Sequence, residues 1–245
     1  MESLLFNILD RVDSTNNYAM AKVHEGMAMH GQAWFAHNQE KGKGQRGKVW
    51  ESRPGENLIL SVAIRPPLGF EPSRFHFHAL IVLAIAGFLE GVAGEEIKIK
   101  WPNDLFFGDR KAGGILIENT IQGTEWKWAI VGIGINVNQA NFPDSIPNAV
   151  SLCQVSRHTY DPLALAKSLH AHIIRAVNSA PLPEYFPGLI STYNEKLYMK
   201  GSAIRLKAGS RRFETVVKGV DEFGRLLTSD QFETAYNHGE IEWLR

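Results

Sequence analysis

Apolar positions along the chain change spacing several times, and each change predicts a new element. Leu4-Leu5-Phe6-Asn7-Ile8 predicts a short strand. Asp13-Ser14-Thr15 then supplies cap residues for a helix that runs to about His24 and stops at Gly26. Ala33-Trp34-Phe35-Ala36 and residues 58–64 predict two further strands, the second ended by Pro66-Pro67 because proline donates nothing to a ladder. Ser73 is expected to cap a long apolar helix reaching Val92. Over residues 95–101, Ile97 and Ile99 alternate with Lys98 and Lys100, the period of a half-buried strand, before Pro102 forces a turn. Residues 111–118 and 126–137 predict a hairpin joined by Gln122-Gly123, its second strand interrupted by Gly132 and Gly134. Leu165, Leu169, Ile173 and Val177 repeat at helical spacing across residues 162–179, and a shorter helix is expected over 184–196.

After Leu197 the texture becomes purely β. Residues 203–206, 213–220, 225–227, 232–236 and 241–244 read as short strands separated by glycine and charged turns. Five strands at such spacing predict a small SH3-like β-barrel. The expected architecture is therefore α+β, with a domain at 1–196 followed by the barrel at 197–245.

Composition narrows the function. A chain of 245 residues buries on the order of 70–75% of the surface its unfolded form exposes, enough for one large core and a small satellite domain. Its 26 Lys+Arg balance 26 Asp+Glu, and zero net charge argues against a dedicated nucleic-acid binder. The lone cysteine, Cys153, cannot form an internal disulfide and suits a reducing compartment; it reads as packing filler. The opening MESLLFNILDR lacks the basic region of a signal peptide, and the apolar run 79–89 is shorter than the ~20 residues that span a bilayer. A cytoplasmic protein without a membrane span is expected.

Three segments could carry chemistry. Gly42-Lys43-Gly44-Gln45-Arg46-Gly47 matches the G-x-G-x-x-G of dinucleotide-binding folds, but the context fails: a strand follows instead of a helix, and the acidic ribose partner is replaced by Arg65, Pro66 and Pro67. What remains is a glycine-rich loop with Lys41, Lys43, Arg46 and Lys48, ending at Trp50. Glycines let backbone N–H groups approach an anion, the cations offset phosphate charge, and the indole offers a face to a purine. The second segment is Lys100-Trp101-Pro102-Asn103-Asp104 followed by Lys111-Ala112-Gly113-Gly114-Ile115-Leu116, a strand, turn and strand that need no function on composition alone. The third is Gly132-Ile133-Gly134-Ile135-Asn136, where glycines in an apolar strand mark close approach by another backbone or a ligand. His76 and His78 are too few for a zinc site and read as structural.

In this order, and together with Ser14-Thr15-Asn16, these motifs resemble those of the biotin protein ligases across nearly the whole chain. The resemblance implies a mixed-sheet catalytic domain of the biotin/lipoate ligase type. It also implies an activity: biotin and ATP form biotinyl-5′-AMP, and the biotinyl group passes to one lysine of a biotin carboxyl carrier protein of acetyl-CoA carboxylase or a related carboxylase. By the same resemblance Lys111, Arg46 and Asp104 are catalytic. Ser14, Thr15, Asn16, Gln39, Lys43, Gly44, Gln45, Lys111, Gly113 and Gly114 would hold biotin. Lys43, Arg46, Trp50, Asn103, Lys111 and Asn136 would hold ATP. Mg²⁺ would ride on the triphosphate with few protein ligands and no protein cage. Lys43 and Gln45 stand where the better-known form of the loop has arginines. The alternative is a lipoate or octanoate protein ligase of related fold. Some biotin ligases carry a DNA-reading helix-turn-helix; the thirteen residues before Ser14 leave no room for one, so no DNA partner is expected. Whether the chain forms a homodimer is open at this level.

Overall fold

The computed structural model describes residues 5–70, 74–144, 146, 148–230 and 232–244. Leu4 and Ser73, expected in the first strand and as a helix cap, lie outside them. Strands β1 (Phe6–Val12), β2 (Gln32–Gln39), β3 (Leu58–Ile64), β4 (Ile97–Lys100), β5 (Asp104–Phe107), β6 (Arg110–Gln122) and β7 (Glu125–Ile135) form one mixed sheet in the order β1-β2-β3-β7-β6-β5-β4. β1 and β2 pair in parallel; the other neighbours are antiparallel. Helix α1 (Thr15–His24) connects β1 to β2, and Gly26 takes the positive φ of 71° that ends it as expected.

Side-chain alternation assigns each sheet face a task. Leu58, Leu60, Val62 and Ile64 of β3 and Val131, Ile133 and Ile135 of β7 enter the large core. There they share a buried cluster with residues of α2 (Arg74–Ala93), α4 (Pro162–Asn178) and α5 (Phe186–Glu195). The predicted stripe Leu165, Leu169, Ile173 and Val177 is the buried face of α4, which Asp161 caps. On the opposite face a smaller cluster joins Ala19 of α1 to Trp34, Ala63 and Ile130. Ser61, Gly132 and Gly134 share the parity of Ala63 and Ile130 and so face this second side.

Among the described residues, α2 is the helix long and apolar enough to cross a membrane, although the sequence run within it looked too short. Phe77, Ile81, Val82, Ile85 and Leu89 are fully buried in the large core, so here α2 serves as a core helix. Two short elements escape the sequence pattern. β5 holds only four residues and follows the Pro-Asn turn signal, and α3 (Leu152–Ser156) is a single turn capped by Ser151 and Gln154.

The tail forms a second, antiparallel sheet: β8 (Ala203–Ala208), β9 (Arg211–Val220), β10 (Leu226–Ser229), β11 (Glu233–Tyr236) and β12 (Glu242–Leu244), in the order β11-β10-β9-β8-β12. All five expected strands are present, shifted by a few residues at their ends. The tail does not stand apart: Ile204, Leu206, Val217, Val220, Leu226 and Ile241 belong to the same buried cluster as the large core. Trp101 Nε1 donates to Gly224 O at 3.0 Å, and an added Cβ on Gly224 would meet the Phe75 ring at 2.5 Å. Asn194 at the end of α5 completes the joint, its Nδ2 donating to Val220 O at 2.9 Å and its Oδ1 accepting from Val220 N at 2.7 Å. Asn194→Ala leaves both backbone groups unpaired. It is expected to lower stability by about 2 kcal/mol in urea denaturation, with one cooperative transition retained.

Candidate active site

The chemistry-bearing segments converge on the α1 side of the large sheet, around a cavity of about 790 Å³. Its floor is bare strand. Gly114 of β6 pairs with Gly134 of β7, and Leu116 with Gly132. The missing side chains are occupied by neighbours: a Cβ on Gly132 would collide with Asn16 Oδ1, and one on Gly134 would lie 2.5 Å from Trp50 Cε2. The two interior glycines of β7 thus let α1 and the loop approach the strand itself.

One end of the cavity is polar. Ser14 caps α1, accepting from Asn17 N at 3.4 Å, and Ser14, Thr15 and Asn16 are all buried while lining the cavity. Thr15 N–H donates to Gln39 Oε1 at 2.9 Å. Capping and pocket lining therefore coexist in Ser14; neither excludes the other.

The glycine-rich segment is a small ordered hairpin. Lys43 bridges Val49, Trp50 N donates to Gly42 O at 2.9 Å, and Gly44 N donates to Lys48 O at 2.7 Å. A 3₁₀ turn at Gln45–Gly47 closes it, with Arg46 at φ 55°. No α-helix opens here, as the failed dinucleotide context anticipated. Lys43, Gly44, Gln45, Arg46, Lys48 and Trp50 all line the cavity. Trp50 Nε1 is buried without a hydrogen-bond partner.

Lys111 reaches in from β6. Its Nζ lies 2.6 Å from Asp104 Oδ1 and 5.8 Å from the centre of the Trp50 ring. Its main chain is clamped: Lys111 N donates to Asn148 O, and Val150 N donates to Lys111 O. Asn103 is tied to Ile115 in both directions and also lines the cavity.

Two expected site residues stay outside the cavity wall. Asn136 is buried, and its Nδ2 donates to Lys111 O at 3.3 Å and Val150 O at 3.1 Å. It holds the main chain of Lys111 from behind the cavity wall. Gly113 packs against Ile135 and Gly134, where a Cβ would lie within 2.5 Å of the Ile135 side chain. His78, half-buried, makes a 2.8 Å hydrogen bond to Pro102 O, and desolvation lowers its pKa.

Sequence leaves the role of the tail open between closing over the nucleotide, docking the carrier and stabilising the fold, and it names no tail residue for the site. His238, Gly239, Ile241, Glu242 and Trp243 line the cavity beside Lys100 and Trp101. The Arg46 guanidinium packs on Gly239, where an added Cβ would come within 2.8 Å of Cζ. Burial lowers the pKa of His238, and Arg46 and Lys48 add to the effect while Asp104 opposes it. His238-Gly239 was the available signal, a histidine and a glycine at the turn before the last strand. Read as part of a separate barrel, it pointed to no site.

Residues 8–136 match the model of the Biotin/lipoate A/B protein ligase family. A Paracoccus denitrificans protein named biotin–[acetyl-CoA-carboxylase] ligase is 30% identical over 229 residues, 90% of this chain and 92% of that one. The Escherichia coli bifunctional ligase/repressor BirA is 29% identical over 222 residues, 90% of this chain and 68% of that one. Among solved structures, the Aquifex aeolicus biotin protein ligase in complex with biotin and ATP is 25% identical, covers 98% of both chains and superposes with a TM-score of 0.79. The family match spans β1 to the end of β7, the stretch that builds the cavity floor and carries Lys111, and by it this chain belongs to the biotin/lipoate A/B protein ligase family.

Proposed function

We propose that this enzyme joins the carboxylate of biotin to the α-phosphate of ATP, releasing pyrophosphate, and then transfers the biotinyl group from biotinyl-5′-AMP to one lysine of a biotin carboxyl carrier protein. The observation that carries this reading is the position of Lys111. Lys111 shares one cavity, large enough for both substrates, with the buried start of α1 and the cationic loop, its Nζ 2.6 Å from Asp104 Oδ1 and 5.8 Å from the centre of the Trp50 ring.

In the first step a carboxylate oxygen attacks the α-phosphorus, the new O–P bond forms, and the bond to pyrophosphate breaks. Two anions must approach, and negative charge grows on the phosphoryl oxygens. Lys111 offsets both, aided by Lys43 and Arg46 from the loop. Ser14, Thr15, Asn16 and Gln39 hold the ureido ring of biotin, with Gly44, Gln45 and Gly114 along its length. Trp50 packs on adenine and keeps its unpaired Nε1 for an acceptor, and Asn103 borders the nucleotide. Mg²⁺ comes with the triphosphate. Among the described residues no group of three metal-ligating side chains could cage it.

In the second step the amine of the carrier lysine attacks the biotinyl carbonyl, a C–N bond forms, and AMP leaves with the former anhydride oxygen. Asp104, free to exchange its partner Lys111 for the incoming amine, holds that amine in line or takes its proton. Between the steps water must be kept out, because an acyl-adenylate hydrolyses. The loop hairpin and the Gly239 turn close on each other over the mouth of the cavity and serve as its cover. The tail sheet is an SH3-like second domain at 197–245 that completes the nucleotide end, packed into the core of a catalytic domain at 1–196. The carrier is of the acetyl-CoA carboxylase class, as the name of the Paracoccus relative suggests. An unpaired Cys153 fits work in the cytoplasm.

Two measurements test this. Lys111→Met is expected to lower biotin-dependent exchange of pyrophosphate into ATP by about 10²–10³-fold with the thermal midpoint unchanged; exchange within threefold of the parent would overturn the assignment. Biotin plus ATP is expected to slow tryptic cleavage at Lys43, Arg46 and Lys48 by about tenfold or more. Unchanged cleavage would mean that the loop is no cover.

A further inference from the structure

The polar end of the cavity contains a hydrogen-bond network that goes beyond the residues touching a ligand. Ser61, fully buried on β3, places Oγ 2.6 Å from Asn16 Oδ1 and 2.8 Å from Thr15 Oγ1. Glu118 on β6 places Oε2 2.8 Å from Asn16 Nδ2, which also lies 3.4 Å from Leu116 O. The other carboxylate oxygen of Glu118 faces Lys43 Nζ of the loop hairpin at 3.4 Å.

An amide can be turned either way, so what surrounds it decides which end faces which partner. A carboxylate only accepts, and it therefore holds the NH₂ of Asn16. Ser61 has one proton; the amide oxygen can only accept it, and the Thr15 hydroxyl then donates to Ser61 or to Gln39 Oε1, 3.2 Å away. With that arrangement the two N–H bonds of Asn16 are directed to Glu118 and Leu116, and one lone pair of Oδ1 remains. Asn16 is thus left as an acceptor and not as a donor.

We propose that Glu118 and Ser61 are positioning residues that set the substrate specificity of the site by fixing the Asn16 amide with its oxygen available to a ligand N–H. The inference rests on the biotin reading and deepens it. A ureido ring carries two N–H donors; the dithiolane ring of lipoate carries none. A site with a buried acceptor waiting for a donor rejects the analogue that lacks it, because the acceptor would stay unpaired. Neither Glu118 nor Ser61 lines the cavity; Ser61 acts through Asn16 and Thr15, and Glu118 through Asn16, its exposed pair with Lys43 being worth little in solvent. Gly132 is part of the same device, since only a glycine there leaves room for the amide against the strand.

The test compares Glu118→Ala, Glu118→Gln and Ser61→Ala with the parent enzyme. The readouts are biotin Kd by calorimetry, kcat and KM for biotin-dependent pyrophosphate release, and the thermal midpoint. Loss of one charged hydrogen bond predicts a Kd and KM for biotin raised about tenfold in Glu118→Ala, with kcat within twofold. Glu118→Gln, whose amide oxygen still accepts from Asn16, is expected to recover biotin affinity to within about threefold of the parent. A biotin methylated on each ureido nitrogen in turn supplies the ligand side. One of the two analogues binds the parent about tenfold more weakly than biotin, and that gap narrows in Glu118→Ala because the amide is no longer held. Unchanged biotin affinity in both alanine variants would overturn the proposal. So would a loss confined to kcat, or a methylation penalty of the same size in parent and variant. If the parent itself releases no pyrophosphate with biotin, the proposed function fails instead, and the two failures are told apart in one assay.

Discussion

Everything at the site depends on a stretch of sheet that has no side chains. β7 must bury Val131, Ile133 and Ile135 in the large core, which fixes its register and turns residues 132 and 134 to the other face. Had those residues carried even a methyl group, Asn16 and Trp50 could not lie where they do. Opposite Gly134 sits Gly114, so the bare patch extends across two strands. The fold therefore makes its binding surface by subtraction. Core packing sets the alternation, and glycine at the outward positions lets polar and aromatic groups from distant segments come down onto the strands.

Given that floor, the rest of the site is an exercise in holding mobile groups still. Lys111 has a long flexible stem, yet its backbone is clamped by Asn148, Val150 and the amide of Asn136. The start of α1 is held by its own cap, by Gln39 and by Ser61. The loop hairpin closes through its own backbone bonds and meets the tail at Gly239. These are weak ties individually; the exposed Lys43–Glu118 pair, for one, contributes at most about 1 kcal/mol. Their value lies in geometry, because two anions gain little from a cation whose position fluctuates.

The parts legible from sequence and the parts that were not divide along a physical line. Local signals were sufficient where one element determines its own structure: the Ser14 cap, the strand over 58–64, the α4 stripe and the five short tail strands. The glycines of the third motif were correctly read as a place of close approach, though sequence could not say that Asn16 and Trp50 are what approach. Relations between distant segments escaped. The motif marks Asn136 for the nucleotide end, but not that its amide bonds to Lys111 O and Val150 O. The tail read as a satellite, yet it shares the large core and brings His238 and Gly239 to the cavity mouth. Ser61 sits inside a strand that is otherwise apolar, and only the pairing of β3 with its neighbours shows that it faces α1. No local pattern marks a residue whose partner lies 45 positions away.

The central claim is that one cavity both activates biotin and delivers it to a carrier lysine. It is tested most directly by incubating the enzyme with ATP, an apo biotin-carrier domain and equal amounts of biotin and lipoate, and then reading the intact mass of the carrier and mapping the modified residue. The carrier is expected to gain the mass of one biotinyl group on a single lysine and no lipoyl adduct. A lipoyl adduct, or an unmodified carrier, would contradict the claim.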